Sequence, residues 1–288
     1  MAFYAVIFIG ILSISLASIL IKLCSAPAMV IASYRLGVAS LFFVSTCLVK
    51  RTNPLAAFTR RDLLLAMGSG LFLSLHFAAW ITSLKYTSVA NSVVLMATMP
   101  IFVGLGSLLF LKERWTRHLS FGMVLTIAGA VTMSAHKLGA GQSSAIGNAL
   151  ALCGAIAGAG YYLLGRDLRA RVNTIEYVTV VYAITAVILI LLTTSFRFNF
   201  TNYGLKVFVL FFLLALVPQV IGHTSFNWAL RHVSAATVSV LTLGEPIGAP
   251  ILAFFILGEK ITAIQLIGGM LILIGVALAL RGEFLKNG

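Results

Sequence analysis

The chain has 288 residues, of which 60% are hydrophobic and only 9% are charged, and its formal net charge is +13. Soluble globular domains carry about 25% charged residues, so this composition excludes an ordinary water-soluble domain. The basic excess could suggest a nucleic-acid partner in a soluble protein, but in a membrane protein the cytoplasmic loops account for it, and we expect no nucleic acid.

Apolar runs of about 20 residues, long enough to cross a bilayer as helices, follow one another along almost the whole chain. Strands of a transmembrane barrel would be about 10 residues long with alternating polarity, so these runs are helices. The predicted fold class is an all-α polytopic membrane protein. The first run is expected to be retained, because "MAFYAVIFIG" lacks the basic head of a signal peptide. We predict ten spans, at roughly 3–23, 28–49, 63–84, 88–111, 117–135, 145–165, 174–196, 206–229, 234–257 and 263–281.

Lysine and arginine are distributed unevenly between alternate connections. With the N-terminus in the cytoplasm, 13 of the 20 basic residues lie on cytoplasmic loops or on the C-terminal tail, and 6 lie on the other side. Cytoplasmic loops carry the excess of positive charge in membrane proteins. We therefore predict a multi-pass protein of the bacterial inner membrane with both termini in the cytoplasm.

The sequence repeats itself after 146 residues. "LKYTSVANSVVLMATMPIFVGLGSLLFLKERWT" (84–116) aligns without a gap with "LRHVSAATVSVLTLGEPIGAPILAFFILGEKIT" (230–262). The glycines of the following span keep the same register. The identical pairs include Leu84/Leu230, Ala90/Ala236, Pro100/Pro246, Glu113/Glu259, Gly122/Gly268 and Gly129/Gly275.

This duplication predicts two five-helix repeats, residues 1–138 and 139–288, in one integral bundle. Because five is odd, the second repeat must enter the membrane from the opposite side, so the repeats are inverted. Inverted repeats around a site at mid-membrane are typical of secondary transporters, which alternate access by rocking one repeat against the other.

Three stretches resemble the EamA family of the drug/metabolite transporter superfamily: "PAMVIASYR" (27–35), "MPIFVGLGSLLFLKER" (99–114) and "EPIGAPILAFFILGEK" (245–260). The length and the aromatic-bearing third span are similar to the bacterial aromatic and amino-acid exporter branch. The resemblance covers nearly the whole chain. It implies a ten-helix inner-membrane exporter whose central cavity is lined by helices 1, 3, 4, 6, 8 and 9.

Glu245 lies near the middle of the ninth predicted span. A charged side chain at that depth costs roughly 2.5–3.5 kcal/mol on insertion scales, so it should face protein or a water-filled cavity. One interpretation puts its carboxylate at the substrate cavity, where it binds a ligand ammonium or a proton exchanged during transport. The other is a protonated carboxyl that bonds a neighbouring helix and holds the bundle together.

Glu113 and Glu259 have a different setting, since each follows the end of a span, in "LKERWT" and "LGEKIT". We expect a structural role for both, through ion pairing at the membrane interface and capping of the next helix.

His76 and Trp80, in "LSLHFAAWITSL", are four residues apart and share one face of the third predicted span. His223 is within one place of the repeat position of His76. Aromatic walls with a few polar groups suit small organic ligands, including those with ammonium groups. We predict that these three side chains line the cavity. The alternative for Trp80 is an anchor at the membrane interface.

Other candidate lining residues lie on spans one, four and six. Ser15 and Ser18 are small enough to allow close packing and also carry hydroxyls. Tyr161 could offer a hydroxyl to the cavity, and Asn91 is placed near the outer end of span four. Met96 completes this set.

Pro100 and Pro246 each free a backbone carbonyl one turn earlier, so we expect them to bend the fourth and ninth spans. Arg35 is the arginine of the second-helix stretch that carries the resemblance. We expect an architectural ion pair for Arg35, with substrate contact as the alternative.

The predicted function is a secondary transporter that exports small metabolites, with amino acids as the first candidate, by alternating access. No Walker-type loop, HExxH or GxSxG is present, so we expect neither ATP drive nor an enzyme, and no metal or cofactor. The expected partners are the solute and the bilayer, and the sequence is compatible with a monomer. The alternative is a proton-coupled exporter of lipophilic cations. A remoter one is an intramembrane enzyme that uses Glu245 and His76 as acid and base.

Overall fold

Helices joined by short turns and loops make up the described part of the chain, and no strand occurs in that part. The computed structural model describes residues 2–87, 89–113, 115–134, 144–257 and 261–287, without the side chains of residues 89–91, 93, 134, 253, 257, 286 and 287. In these ranges nine helical segments are long and apolar enough to cross a bilayer. The fifth predicted span is the 18-residue helix Arg117–Ser134. The predicted all-α membrane class is thus confirmed.

Most predicted spans are single helices, and three are divided. The helices are α1 (Ala2–Leu23), α2 (Ala28–Val49), α3 (Arg60–Ser83), α4 (Val89–Met96), α5 (Met99–Gly106), α6 (Arg117–Ser134), α7 (Ala145–Arg169), α8 (Thr174–Ser195), α9 (Leu205–Leu214), α10 (Thr224–Ala229), α11 (Ala235–Thr242), α12 (Glu245–Leu257) and α13 (Ala263–Asn287).

Helix boundaries repeat with the offset that relates the two halves of the sequence. Helices α2 and α8 start and end 146 residues apart, and so do α4 and α11. Helices α6 and α13 also begin 146 residues apart. The predicted boundary between the repeats, at residues 138 and 139, lies outside the described residues and stays a prediction.

Helices α6 and α13 pack antiparallel through glycines that are counterparts in the repeat. A Cβ atom on Gly122 would lie 2.5 Å from the carbonyl oxygen of Gly275, and one on Gly129 would lie 2.6 Å from that of Gly268. Under the 146-residue offset these two contacts exchange places. Two corresponding helices that cross antiparallel in this way are what inverted repeats require, and the missing side chains let the backbones approach closely.

We expect Gly268→Ala to destabilise the protein and Gly269→Ala to leave it unchanged. A Cβ atom on Gly268 would lie 2.4 Å from a side-chain carbon of Met133 and 2.6 Å from the Gly129 carbonyl oxygen, whereas one on Gly269 meets nothing within 4 Å. Overpacking of this kind costs about 1–3 kcal/mol. Thermal unfolding in detergent, followed by fluorescence, compares the variants. Equal melting temperatures would contradict the glycine contact.

Two spans are broken near mid-membrane at equivalent places. Turns separate α4 from α5 and α11 from α12, and Pro100 and Pro246 are each the second residue of the helix that follows. Proline fits the first turn of a helix, where its missing N–H has no partner to lose, but it cannot continue a preceding one. Glu245 is therefore the first residue of α12, where a negative charge is favourable to the helix dipole.

The eighth predicted span, 206–229, is not one uniform helix. Between α9 and α10 the chain forms a wider π-helical segment, Ala215–His223, which contains Pro218. Proline removes one backbone donor and its ring clashes with the preceding turn, and a wider turn relieves both. The apolar run around Pro218 predicted a regular helix here, so this segment is a difference from the prediction. It carries Gln219, which bonds Arg35, and His223, which lines the central cavity.

Candidate functional site

A cavity of about 790 Å³ lies inside the bundle. Its volume is within the range of small-molecule sites, about 300–1,000 Å³. Exposed Lys22 and Lys85 line it where α1 and α3 end, so the cavity opens at that end of the bundle. Buried Tyr161 and Phe226 belong to its deeper wall.

More helices contribute to the wall than the family resemblance implied. All six implied spans provide lining residues: the first, third, fourth, sixth, eighth and ninth. Helix α2 adds Arg35, α6 adds Met133 and α13 adds Gln265. The contribution of α2 is the important addition, because it brings a positive charge to the wall.

Glu245 contributes the acidic side chain of the cavity wall. It is half-buried, and its carboxylate makes no hydrogen bond to any described residue; only its backbone carbonyl is contacted, by the Ser15 hydroxyl at 3.4 Å. The interpretation of Glu245 as a carboxyl bonded to a neighbouring helix therefore has no such bond among the described residues. Its carboxylate is available to a ligand.

Arg35 is 1% exposed and lines the same cavity. The expected ion pair is not present among the described residues: no carboxylate oxygen lies within 4.0 Å of its guanidinium. Instead its Nε donates to Oε1 of Gln219 at 2.8 Å, and the guanidinium carbon lies 4.5 Å from the centre of the Phe77 ring. The reason is that the π-helical segment brings Gln219, rather than an acid, to Arg35.

In the described part of the cavity wall, two nitrogen atoms are buried without a hydrogen-bond partner. They are Nη1 of Arg35 and Nδ1 of His223. Both residues pack on Phe77, whose ring centre is 5.4 Å from that of the His223 imidazole. Buried polar groups without partners are uncommon in folded proteins, so this pair distinguishes the Phe77 side of the wall from the rest of it.

His76 and Trp80 lie together on the wall, as their spacing predicted. Their rings are nearly parallel, with centres 6.2 Å apart. Nδ1 of His76 is 2.9 Å from the carbonyl oxygen of Gly154, so that nitrogen carries the proton and Nε2 is left as an acceptor. A Cβ atom on Gly158 would lie 2.9 Å from the His76 ring, so α7 needs glycine here to accommodate the imidazole.

Tyr161 lines the cavity with its ring, but its hydroxyl is engaged elsewhere. It donates to Oδ1 of Asn227 at 2.7 Å, and the Asn227 amide nitrogen donates to the Tyr182 hydroxyl at 3.0 Å. The expectation of a hydroxyl offered to the cavity thus gives way to a buried polar network that closes the deep end. Asn227 was visible in the sequence, but its partners were not.

The remaining candidates are divided between the wall and its surroundings. Ser18, Met96 and His223 line the cavity, whereas Ser15 is fully buried beside it and donates to the Ile11 carbonyl oxygen at 2.7 Å. The side chain of Asn91 lies outside the described part of the chain.

Glu113 lies far from the mouth, at the other end of the bundle. It accepts from Nε of Arg166 at 2.8 Å, and Arg166 also donates to the Leu230 carbonyl oxygen. This pair joins the end of the fourth span to α7 and to the turn after α10. The corresponding Glu259 lies outside the described residues.

The wall offers few groups for a metal. In the described ranges no three His, Cys, Asp or Glu side chains are grouped closely enough to hold one. Cys24 lies at the mouth, where burial raises the pKa of its thiol, so it is neutral at physiological pH. The charges on the described wall are therefore Arg35 and Glu245 inside and two lysines at the mouth.

Known proteins similar to this chain are membrane transporters. An uncharacterized transporter of Bacillus subtilis, YyaM, is 24% identical over 208 residues, which cover 70% of this chain and 68% of that protein. An uncharacterized transporter of Archaeoglobus fulgidus is 26% identical over 254 residues, or 87% of this chain and 88% of that one. A probable terminal-alkyne amino-acid exporter of Streptantibioticus cattleyicolor is 27% identical over 189 residues, which cover 65% of this chain and 63% of that protein.

The fold has a solved counterpart. One crystal structure matches 98% of this chain and 97% of its own with a TM-score of 0.82, at 19% sequence identity, and so shares the fold. The model of the EamA-like transporter family matches residues 1–135 and 145–281, one match in each half of the chain. Fold, sequence relatives and family match agree, and the chain belongs to the EamA-like transporter family.

Proposed function

We propose that this membrane transporter exports amino acids by alternating access through the central cavity. The observation that carries the proposal is the cavity itself, which is lined by Glu245, whose carboxyl bonds no described residue, together with His76 and Trp80. A carboxylate beside aromatic rings suits a ligand ammonium group. The similarity to a probable amino-acid exporter supports the same substrate class.

Lipophilic cations are the second candidate class, because Glu245 could also attract them. Arg35 argues against them, since it lines the same cavity and repels a ligand that carries only positive charge. A zwitterion does not suffer this repulsion.

The side of the membrane on which the cavity opens follows from the predicted orientation of the chain. With both termini in the cytoplasm, as the basic residues predict, the mouth at Lys22 and Lys85 faces outward. The described state is then the outward-open state of an exporter. The Tyr161 network and the Glu113–Arg166 pair close the cytoplasmic end.

We expect the purified protein in liposomes to exchange labelled amino acids saturably, and lipophilic cations not at all. Uptake of a panel of amino acids and one lipophilic cation, with and without a pH gradient, measures this. Gly158→Leu should abolish exchange, because its Cβ atom alone would lie 2.8 Å from Met99 Sδ and 2.9 Å from the His76 ring. Gly37→Leu is the matched control, since nothing lies within 4 Å of that position.

Two outcomes would contradict this proposal. Cation flux that needs the gradient and disappears in Glu245→Gln would favour the multidrug exporter. Flux of no solute, with turnover of a lipid or amide, would favour an enzyme.

A further inference from the structure

The buried guanidinium of Arg35 has no direct ion-pair partner among the described residues; the Glu245 carboxyl on the same cavity wall attracts it only from a distance. Arg35 lies in a transmembrane helix, is 1% exposed, and has no carboxylate within 4.0 Å among the described residues. Its Nη1 has no hydrogen-bond partner among the described residues. Charged groups at membrane depth are ordinarily paired or face a water-filled path, because an unpaired charge in a low-dielectric interior is costly.

The contacts that Arg35 does make hold it in place without neutralising it. Gln219 accepts from Nε at 2.8 Å, which fixes the plane of the guanidinium. Phe77 lies 4.5 Å beneath the guanidinium carbon, and a cation–π contact of this kind leaves the in-plane N–H groups unsatisfied. The result is an oriented donor group on a cavity wall. A planar carboxylate is the natural partner of such a group.

A second unpartnered nitrogen lies on the same side of the cavity. His223 also packs on Phe77, and its Nδ1 is buried without a hydrogen-bond partner among the described residues. Both residues are cavity-lining, and the π-helical segment provides both Gln219 and His223. The π-helical segment at Pro218 thus supplies both Gln219, which bonds Arg35, and His223, which lies on the same part of the cavity wall.

We propose that Arg35, positioned by Gln219, is a carboxylate-binding subsite of the cavity. A zwitterionic substrate then binds with its carboxylate on Arg35 and its ammonium group toward Glu245, the acidic residue of the same cavity wall. The identity of the substrate as an amino acid rests on the function proposed above. The subsite itself needs only a carboxylate.

The test measures binding of three small probes to the purified full-length protein by calorimetry. Hydrocinnamate carries only the carboxylate, phenethylamine only the ammonium, and phenylalanine both. The main variant is Gln219→Glu, which puts a carboxylate directly against the guanidinium and so competes with the ligand for it. Because the new acid is paired with Arg35, this variant retains the buried charge and should fold.

We expect Gln219→Glu to weaken hydrocinnamate and phenylalanine at least about tenfold, the value of one charge-assisted hydrogen bond. Phenethylamine should bind at least as well as before, because the new carboxylate offsets the repulsion by Arg35. Arg35→Gln, which removes the charge but can still bond Gln219, should give the same selective loss. Equal weakening of all three probes would mean that Arg35 only supports the fold and would overturn the proposal. Failure of the wild type to bind hydrocinnamate would also overturn it.

Failure of the proposed function is distinguishable from failure of this subsite. If amino acids are not exchanged in liposomes but hydrocinnamate binding is lost in Gln219→Glu, the subsite stands and the substrate is another carboxylate. If amino acids are exchanged and Gln219→Glu binds and transports them normally, the function stands and the subsite proposal is wrong.

Discussion

Glu245→Gln is expected to weaken binding of ammonium-bearing ligands about 10–150-fold, because one charge-assisted hydrogen bond contributes about 1.5–3 kcal/mol. Glu245 lines the cavity and its carboxyl bonds no described side chain, so its loss breaks no hydrogen bond among the described residues. Phenethylamine and phenylalanine should therefore lose affinity, while hydrocinnamate should bind as before. Calorimetry with the purified protein measures all three.

The controls for this prediction use the same position. Glu245→Asp keeps the charge and should retain part of the affinity for amines. Glu245→Met should behave as Glu245→Gln and fold normally, because Met99 occupies the repeat-related position at the start of α5. Unchanged amine binding in Glu245→Gln would contradict a ligand contact. A collapse of the melting temperature would instead favour a carboxyl that holds the bundle together.

Glu113→Gln is expected to shift the protein away from the described state. The Glu113–Arg166 pair ties three segments at the closed end, and these must separate before the cavity can open there. The side chain of Arg166 is 26% exposed and that of Glu113 is 16% exposed, so solvent screens the pair in part. Its loss should cost about 1–2 kcal/mol. That shifts the equilibrium between access states about 5–30-fold.

The shift can be followed by labelling one cysteine in the cavity. In a variant without the three native cysteines, Ser18→Cys should react with a membrane-impermeant maleimide through the mouth. Adding Glu113→Gln should slow that reaction, and Glu113→Asp should restore it in part because the charge is kept. An unchanged labelling rate in a well-folded Glu113→Gln protein would exclude this pair as a closing contact.

The sequence by itself determined the membrane class, the approximate spans and the internal repeat. These features depend on local properties: runs of apolar side chains match the bilayer thickness, and an offset of 146 residues is visible in the letters alone. Pro100 and Pro246 also predicted where the fourth and ninth spans break, because proline lacks the backbone N–H that continues a preceding helix.

Other features needed the tertiary structure. Arg35 was expected in an ion pair, but the π-helical segment around Pro218 brings Gln219 to it instead, and no local rule gives the partner of a side chain 184 residues away. The Tyr161 hydroxyl was expected in the cavity, but the fold turns it toward Asn227. Glu245 was placed near mid-span correctly, yet only the arrangement of helices leaves its carboxylate unbonded. Hydrophobicity decides which segments enter the membrane, whereas packing of helices distant in the chain decides which polar groups meet and which are left for a ligand.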